Sequence, residues 1–264
     1  MVQHIGIGDI APESVMLAGA GRAILLQLAN PAVGYGVAHH SHFATDPLRR
    51  LHGTLSYIYA LTNGTPEQRA AMVRHVAKAH RAVKATAAAT HPAYDARDPQ
   101  LQLWVAATLY DSGMLVYNKV FPPLSGAEAE AVYRDYGVLG TALGMPAELW
   151  PATTADFQQY WDTQLDGLSV DATIRSVAGD LLAARNAPLW AKALMPLARF
   201  LTAGLLPAAV REQYGFPWTQ RREAVLGALL GAVRIAVKAI PARLRHAPMH
   251  FYLKRIPGQG QAPV

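Results

Sequence analysis

The chain has 264 residues, of which 52% are hydrophobic and only 16% charged, with a net charge of +6. That length suits one large helical domain or two small ones, and the apolar balance suits a thick core with room for an apolar cavity. The absence of cysteine excludes disulfides, thiolate nucleophiles, iron–sulfur clusters, Cys-ligated zinc and covalent haem attachment.

The N-terminal Met1-Val2-Gln3-His4-Ile5-Gly6 has no basic region followed by a long apolar stretch, so no secretory leader is expected and a cytoplasmic location is. The first helix is read over 13–29. His39-His40-Ser41-His42 reads as a loop of solvated or structural histidines, with metal binding as the alternative. Asp46-Pro47 then places an N-cap before an N1 proline and opens a helix over 46–62, which Asn63-Gly64 stops. Thr65-Pro66-Glu67-Gln68 is a capping box for a helix over 65–84. Asp98-Pro99 opens 98–119, and the capping box Ser125-Gly126-Ala127-Glu128 opens 125–143, with a stop at Gly144 and Pro146. Further helices are read over 154–165, 170–184, 190–204 and 219–239.

The spacing therefore predicts a single all-α domain of nine to eleven helices over 1–256, followed by a disordered tail over 257–264, where Gly, Pro and Gln predominate. Leu194–Val210 and Ala224–Ile240 are apolar, but Pro196, Arg199 and Pro207 interrupt the first, and Arg234 and Lys238 the second. A membrane-spanning helix needs about 20 apolar residues with few charges, so buried helices are expected, with surface association as the alternative. The Lys and Arg residues are scattered without a run of five, which reads as ordinary surface charge and not as a nucleic-acid face.

Several chemistries lose their sequence support. No Glu has a His three residues later, as a di-iron bundle would need. There is no His-Glu-x-x-His, no Walker A loop, no complete G-x-G-x-x-G and no G-x-S-x-G. His246 and His250 are four apart, but Pro248 between them disfavours a helix that would make them converge.

Two helices carry the candidate residues. On 65–84, Val73, Val76, His80 and Val83 share a stripe, so His80 lies on an apolar face and His75 points away. A buried neutral imidazole must satisfy both ring nitrogens; either protein groups do so, or a metal ion takes one of them. On 46–62, Arg50, Thr54, Tyr57 and Leu61 lie on one face, so that three donors point one way. Such donors suit an anionic group; the plain alternative is a surface Arg beside a Thr bonded to its own helix.

Asp46-Pro47-Leu48-Arg49-Arg50-Leu51-His52-Gly53-Thr54 resembles the Arg-Leu-x-x-Thr signature of the MpaB-like and latex-clearing (rubber oxygenase) family. Val76–Lys84 resembles its Val-x-x-x-His-x-x-Val motif, and Tyr94, Asp98-Pro99, Leu101, Leu103-Trp104-Val105 and Ala107-Thr108-Leu109 resemble its Tyr…Asp-Pro…Trp-Val-x-Ala-Thr block. Weaker matches, from Gly21 and Leu26-Gln27 to Tyr214-Gly215 and Leu244-Arg245, extend over nearly the whole chain. The resemblance implies a helical haem b protein with a non-covalent, iron-bound cofactor and His80 as proximal ligand. It places Arg50 and Thr54 near the haem as catalytic residues, and Leu51, Leu55, Tyr57, Val76, Val83 and Trp104 around the macrocycle. It implies an oxidoreductase, an oxygenase that uses O2 on a small lipophilic, unsaturated or terpenoid substrate. The alternative is a non-catalytic haem- or lipid-binding protein, weakly associated with the inner face of a membrane; no nucleic-acid partner is expected. Three positions depart from the family pattern: Ala106 replaces a frequent His, Gly53 replaces the Lys of rubber oxygenases, and 32–36 has no acidic residue.

Overall fold

A computed structural model of the chain describes residues 5–40 and 47–256. Asp46, His42 and the tail over 257–264 lie outside the described residues. A short α1 (Ile7–Ile10) and a 3-10 segment (Ser14–Gly19) lead into α2 (Ala20–Ala29), so the helix expected over 13–29 is a tight turn continued by an α-helix. Next comes α3 (Pro31–His40), where no helix was expected. Its start is nevertheless written locally: Asn30 Oδ1 accepts from Val33 N–H at 3.2 Å, and Pro31 takes the first helical position. The histidines expected in a loop are therefore, for His39 and His40, the last turn of this helix.

α4 (Pro47–Asn63) and α5 (Pro66–His80) follow as expected, except that α5 ends four residues early. After His80 the backbone turns, with Val83 N–H donating to the His80 carbonyl at 3.0 Å and the Val83 carbonyl accepting from Ala96 N–H at 2.9 Å. These bonds draw 84–95 into a small antiparallel hairpin, β1 (Lys84–Ala85) with β2 (Tyr94–Asp95). The long α6 (Pro99–Val120) is capped by Asp98, which accepts from Gln100 N–H at 2.7 Å. α7 (Gly126–Tyr136) starts at the reciprocal Ser125–Glu128 box, and α8 (Val138–Thr141) ends in a turn where Gly144 takes φ +102°, a value open to glycine at little cost.

The remaining helices are α9 (Thr154–Asp166), α10 (Ala172–Ala183), α11 (Leu189–Leu205), α12 (Ala208–Gln213), α13 (Gln220–Ala239), α14 (Ala242–Arg245) and α15 (Ala247–Leu253). Among the described residues eleven helices have seven residues or more, and the fold is all-α. Pro248 sits in the first turn of α15, where its missing N–H is not needed, so the helix expected to break there forms. His246 caps it and lies 3.0 Å from Glu13 Oε1, away from any site shared with His250.

α2 and α6 form the centre. Leu25, Leu26, Leu28 and Ala29 are fully buried, as are Trp104, Ala107 and Val116. Each such leucine contributes about 1.5–3 kcal/mol through burial, and a helix apolar on every side has nowhere to lie but inside. One ion pair is admitted. The buried Arg22 donates from Nε to the Leu205 carbonyl at 2.8 Å and from Nη1 to Ser112 Oγ at 2.7 Å, and its Nη2 pairs with Asp111 at 2.5 Å, which ties α2 to α6 and α11. Gly34 lets α3 approach its neighbours: a Cβ there would lie 2.3 Å from the Leu28 carbonyl and 2.5 Å from Ile174 Cδ1.

The two apolar C-terminal stretches are not buried throughout, as they were expected to be. α11 exposes Leu189, Trp190, Leu194 and Leu197, and α13 exposes Val225 and Ile235, because each helix packs on the core by one face only. No helix among the described residues is long and apolar enough to cross a membrane.

Candidate functional site

An apolar cavity of about 490 Å³ lies between the 3-10 segment, α2, α4, α6, α10 and α11. That volume falls in the range of small-molecule sites. Its polar groups include Gln27, Arg50 and Thr54. Arg50 and Thr54 reach it together because they are one turn apart on α4. Arg50 Nη2 donates to Gln27 Oε1 at 3.4 Å; Gln27 Nε2 donates to Thr108 Oγ1 at 3.0 Å; and Thr108 Oγ1 donates to the Val105 carbonyl at 2.7 Å. This relay fixes the guanidinium against α2 and α6. Arg50 keeps some surface toward the cavity while protein surrounds it, and burial lowers its pKa to about 10. It remains a cation at neutral pH, held in a poorly solvated place.

His80, the last residue of α5, is half-buried, and its Nδ1 is buried with no hydrogen-bond partner. Burial lowers its pKa; the nearby Arg50 cation lowers it further, and the Asp95 carboxylate opposes them. Asp95 is itself held at about 2, chiefly by hydrogen bonds from Arg97. The ring is therefore neutral at pH 7. A neutral imidazole with an orphaned buried nitrogen costs about 1–3 kcal/mol if nothing binds it. It has the form an iron or zinc ion accepts. His75, by contrast, is exposed.

Of the residues expected around a cofactor, the structure brings Arg50, Leu51, Thr54 and Leu55 to the cavity wall. Tyr57 does not join them: its hydroxyl donates to the Leu139 carbonyl at 2.8 Å, and burial pushes its phenol well above the usual range. The three-donor arrangement expected on α4 is thus reduced to two, because the third donor is spent on the backbone of α8. Trp104 is fully buried and stacks on Trp161 at 5.4 Å between ring centres, with Nε1 unpartnered. Val76 and Val83 are half-buried and pack on the main core. His80, Tyr57, Val76, Val83 and Trp104 do not line the cavity; Arg50 stands between the two regions, lining one and acting electrostatically on the other.

His39 and His40 of the histidine cluster share a protein partner. Tyr94 Oη lies 3.0 Å from His39 Nδ1 and 3.2 Å from His40 Nε2. Among the described residues no three His, Asp or Glu are placed to hold a metal ion. Sequence reasoning missed the buried partners of Gln27 and Arg22. A lone Gln and a lone Arg in an otherwise apolar decapeptide were the available signal, since each must find a buried partner.

Residues 9–235 match the family model described as "ER-bound oxygenase mpaB/B'/Rubber oxygenase, catalytic domain". Two relatives, the uncharacterized proteins Mb2261 of Mycobacterium bovis and Rv2237 of Mycobacterium tuberculosis, are each 36% identical over 225 residues, which is 83% of this chain and 88% of theirs. No solved structure matches the chain.

Proposed function

The chain belongs to the mpaB/rubber oxygenase catalytic-domain family, a family of oxygenases, and from that membership we propose that it is a haem b-dependent oxygenase acting with O2 on a lipophilic molecule. The observation that carries the reading is the buried, unpartnered Nδ1 of a neutral His80 beside the Arg50 cation. The residues fit the group. One imidazole would hold the iron, Arg50 would meet an anionic propionate with a charge-assisted bond, and Thr54 would add a hydroxyl one turn on. Haem, if bound there, would supply the iron chemistry that activates dioxygen.

The chain's own residues do the rest. The Gln27–Thr108 relay holds Arg50 in one orientation, which fixes where the anionic edge of a cofactor would lie. The Asp95 carboxylate, held by Arg97, opposes the lowering of the His80 pKa by the Arg50 cation. The cavity wall is mostly apolar and offers a lipophilic substrate far more apolar than polar surface, with Arg50 and Thr54 among its few polar groups. Because Gly53 and Ala106 stand where family members carry Lys and His, the cleavage of a carbon–carbon double bond is not carried over, and the substrate reading stops at a lipophilic, oxidisable molecule.

His80→Ala tests the assignment. The variant is expected to lose haem and retain helical content, while His75→Ala keeps both. Equal haem in wild type and His80→Ala would remove the iron ligand from this reading. Oxygen uptake by the loaded protein with an unsaturated terpenoid separates turnover from storage of haem or lipid.

A further inference from the structure

The cavity is not sealed, and what surrounds its mouth is informative. On α11, Trp190, Leu194, Leu197 and Leu201 recur at i, i+4, i+7 and i+11 and so form one stripe. Trp190 is 62% exposed, Leu194 55% and Leu197 46%, and Leu194, Leu197 and Leu201 also line the cavity. The stripe runs from open surface directly into the pocket wall. Isolated exposed leucines are ordinary, but a contiguous apolar strip that continues into a binding cavity is not.

Charge lies over the same part of the chain. Residues 185–256 hold 12 Lys and Arg against two carboxylates, Glu212 and Glu223, whereas residues 1–184 hold 12 against 16. The only charges on α11 are Lys192 and Arg199, and both side chains are exposed. Arg199 is held at the rim, its Nε donating at 2.7 Å to the carbonyl of Leu182, a cavity-lining residue. Packed beside α11, α13 turns an outward stripe of Arg221, Val225, Ala228, Ala232 and Ile235 away from the buried Leu226, Leu230 and Val237.

We propose that this face, built on the Trp190–Leu194–Leu197 stripe of α11, docks on an anionic lipid bilayer, so that the cavity mouth opens onto the acyl phase. An exposed Trp and leucines set among Lys and Arg are what an interfacial helix presents to headgroups and the upper acyl region. The cationic C-terminal third supplies the long-range attraction to anionic headgroups. The inference is independent of haem: docking needs no cofactor, and a failure to dock would leave the haem content and spectrum unchanged.

The test uses the full chain with vesicles of phosphatidylcholine alone and of phosphatidylcholine with phosphatidylglycerol, some carrying brominated acyl chains. Trp190 is the one exposed residue among the five tryptophans, so it reports insertion. Binding to the anionic vesicles is expected to be about tenfold or more tighter than to the neutral ones and to weaken as salt is raised. Brominated chains should quench fluorescence in wild type and not in Trp190→Phe, which should still pellet. Leu194→Ser/Leu197→Ser should release the protein from vesicles, and Arg234→Gln/Lys238→Gln/Arg243→Gln should reduce the anionic preference. No pelleting with anionic vesicles would overturn the proposal, and so would pelleting with Trp190 unquenched. A concentration-dependent dimer that shields Trp190 would also overturn it and assign the face to a second copy of the chain.

Discussion

Gly21 on α2 and Thr202 on α11 face each other in the cavity wall, and Gly21→Ala puts their contact under strain. The added Cβ would lie 1.9 Å from Thr202 Oγ1, 3.0 Å from its Cβ and 3.2 Å from its Cγ2. Rotating the hydroxyl away does not relieve the clash, because the Cβ contact remains. Alanine in a helix interior gains about 0.8–1.0 kcal/mol over glycine, and overpacking a filled interior costs about 1–3 kcal/mol. With a contact this short the upper end applies, so the net loss is about 2 kcal/mol. At about 2–4 °C per kcal/mol for a large domain, Tm falls by roughly 4–8 °C. Thr202→Ala alone costs about 1 kcal/mol in lost burial. In the double variant the clash with Oγ1 is gone, so the two losses are expected to be less than additive by about 1 kcal/mol or more. Urea denaturation of the four proteins, followed by far-ultraviolet circular dichroism, measures the cycle. A Gly21→Ala variant as stable as wild type, or strict additivity, would refute the close packing of α2 on α11 that shapes the cavity.

In haem-free protein, His80→Leu is expected to raise stability by about 1–3 kcal/mol, since it replaces an unpartnered buried nitrogen by apolar surface; urea midpoints check this, and a loss of stability would mean that the ring is satisfied by protein. Arg50→Ala should weaken haem binding about 10- to 100-fold, the loss of a charge-assisted bond, as read by haemin titration, with helical content unchanged. Arg22→Met leaves Asp111 without its cation and should cost about 3–5 kcal/mol, measured by chemical denaturation; a near-neutral effect would mean that Asp111 is solvated.

Much of the helical frame could be read from capping residues alone. Thr65 with Gln68, Ser125 with Glu128 and Asp98 before Pro99 all form the local bonds their order implies. α3 was missed because Gly34 and Gly36 weaken its helical signal. Those glycines are there for close packing, Gly34 against Leu28 and Ile174 and Gly36 against Tyr94, and the contacts with Ile174 and Tyr94, distant in the chain, leave no local mark. The end of α5 was misplaced for a similar reason: the bond from Ala96 to Val83 that turns the chain is tertiary.

The site was legible in part. One helical turn was enough to place Arg50 beside Thr54, but Tyr57 was misjudged because its partner, the Leu139 carbonyl, is 82 residues away. The orphaned nitrogen of His80 could be suspected from its apolar stripe and needed the fold to establish which nitrogen it was. The exposed face of α11 reads as core in the sequence because apolar composition does not say whether a helix has a neighbour on each side.

The most direct measurement is the visible absorption spectrum of the wild-type chain purified from cells supplied with haem, with a pyridine haemochrome assay for stoichiometry. An intense Soret band and a haem content approaching one per chain are the predicted result. A folded, colourless protein that also fails to bind added haemin would contradict the account at its root.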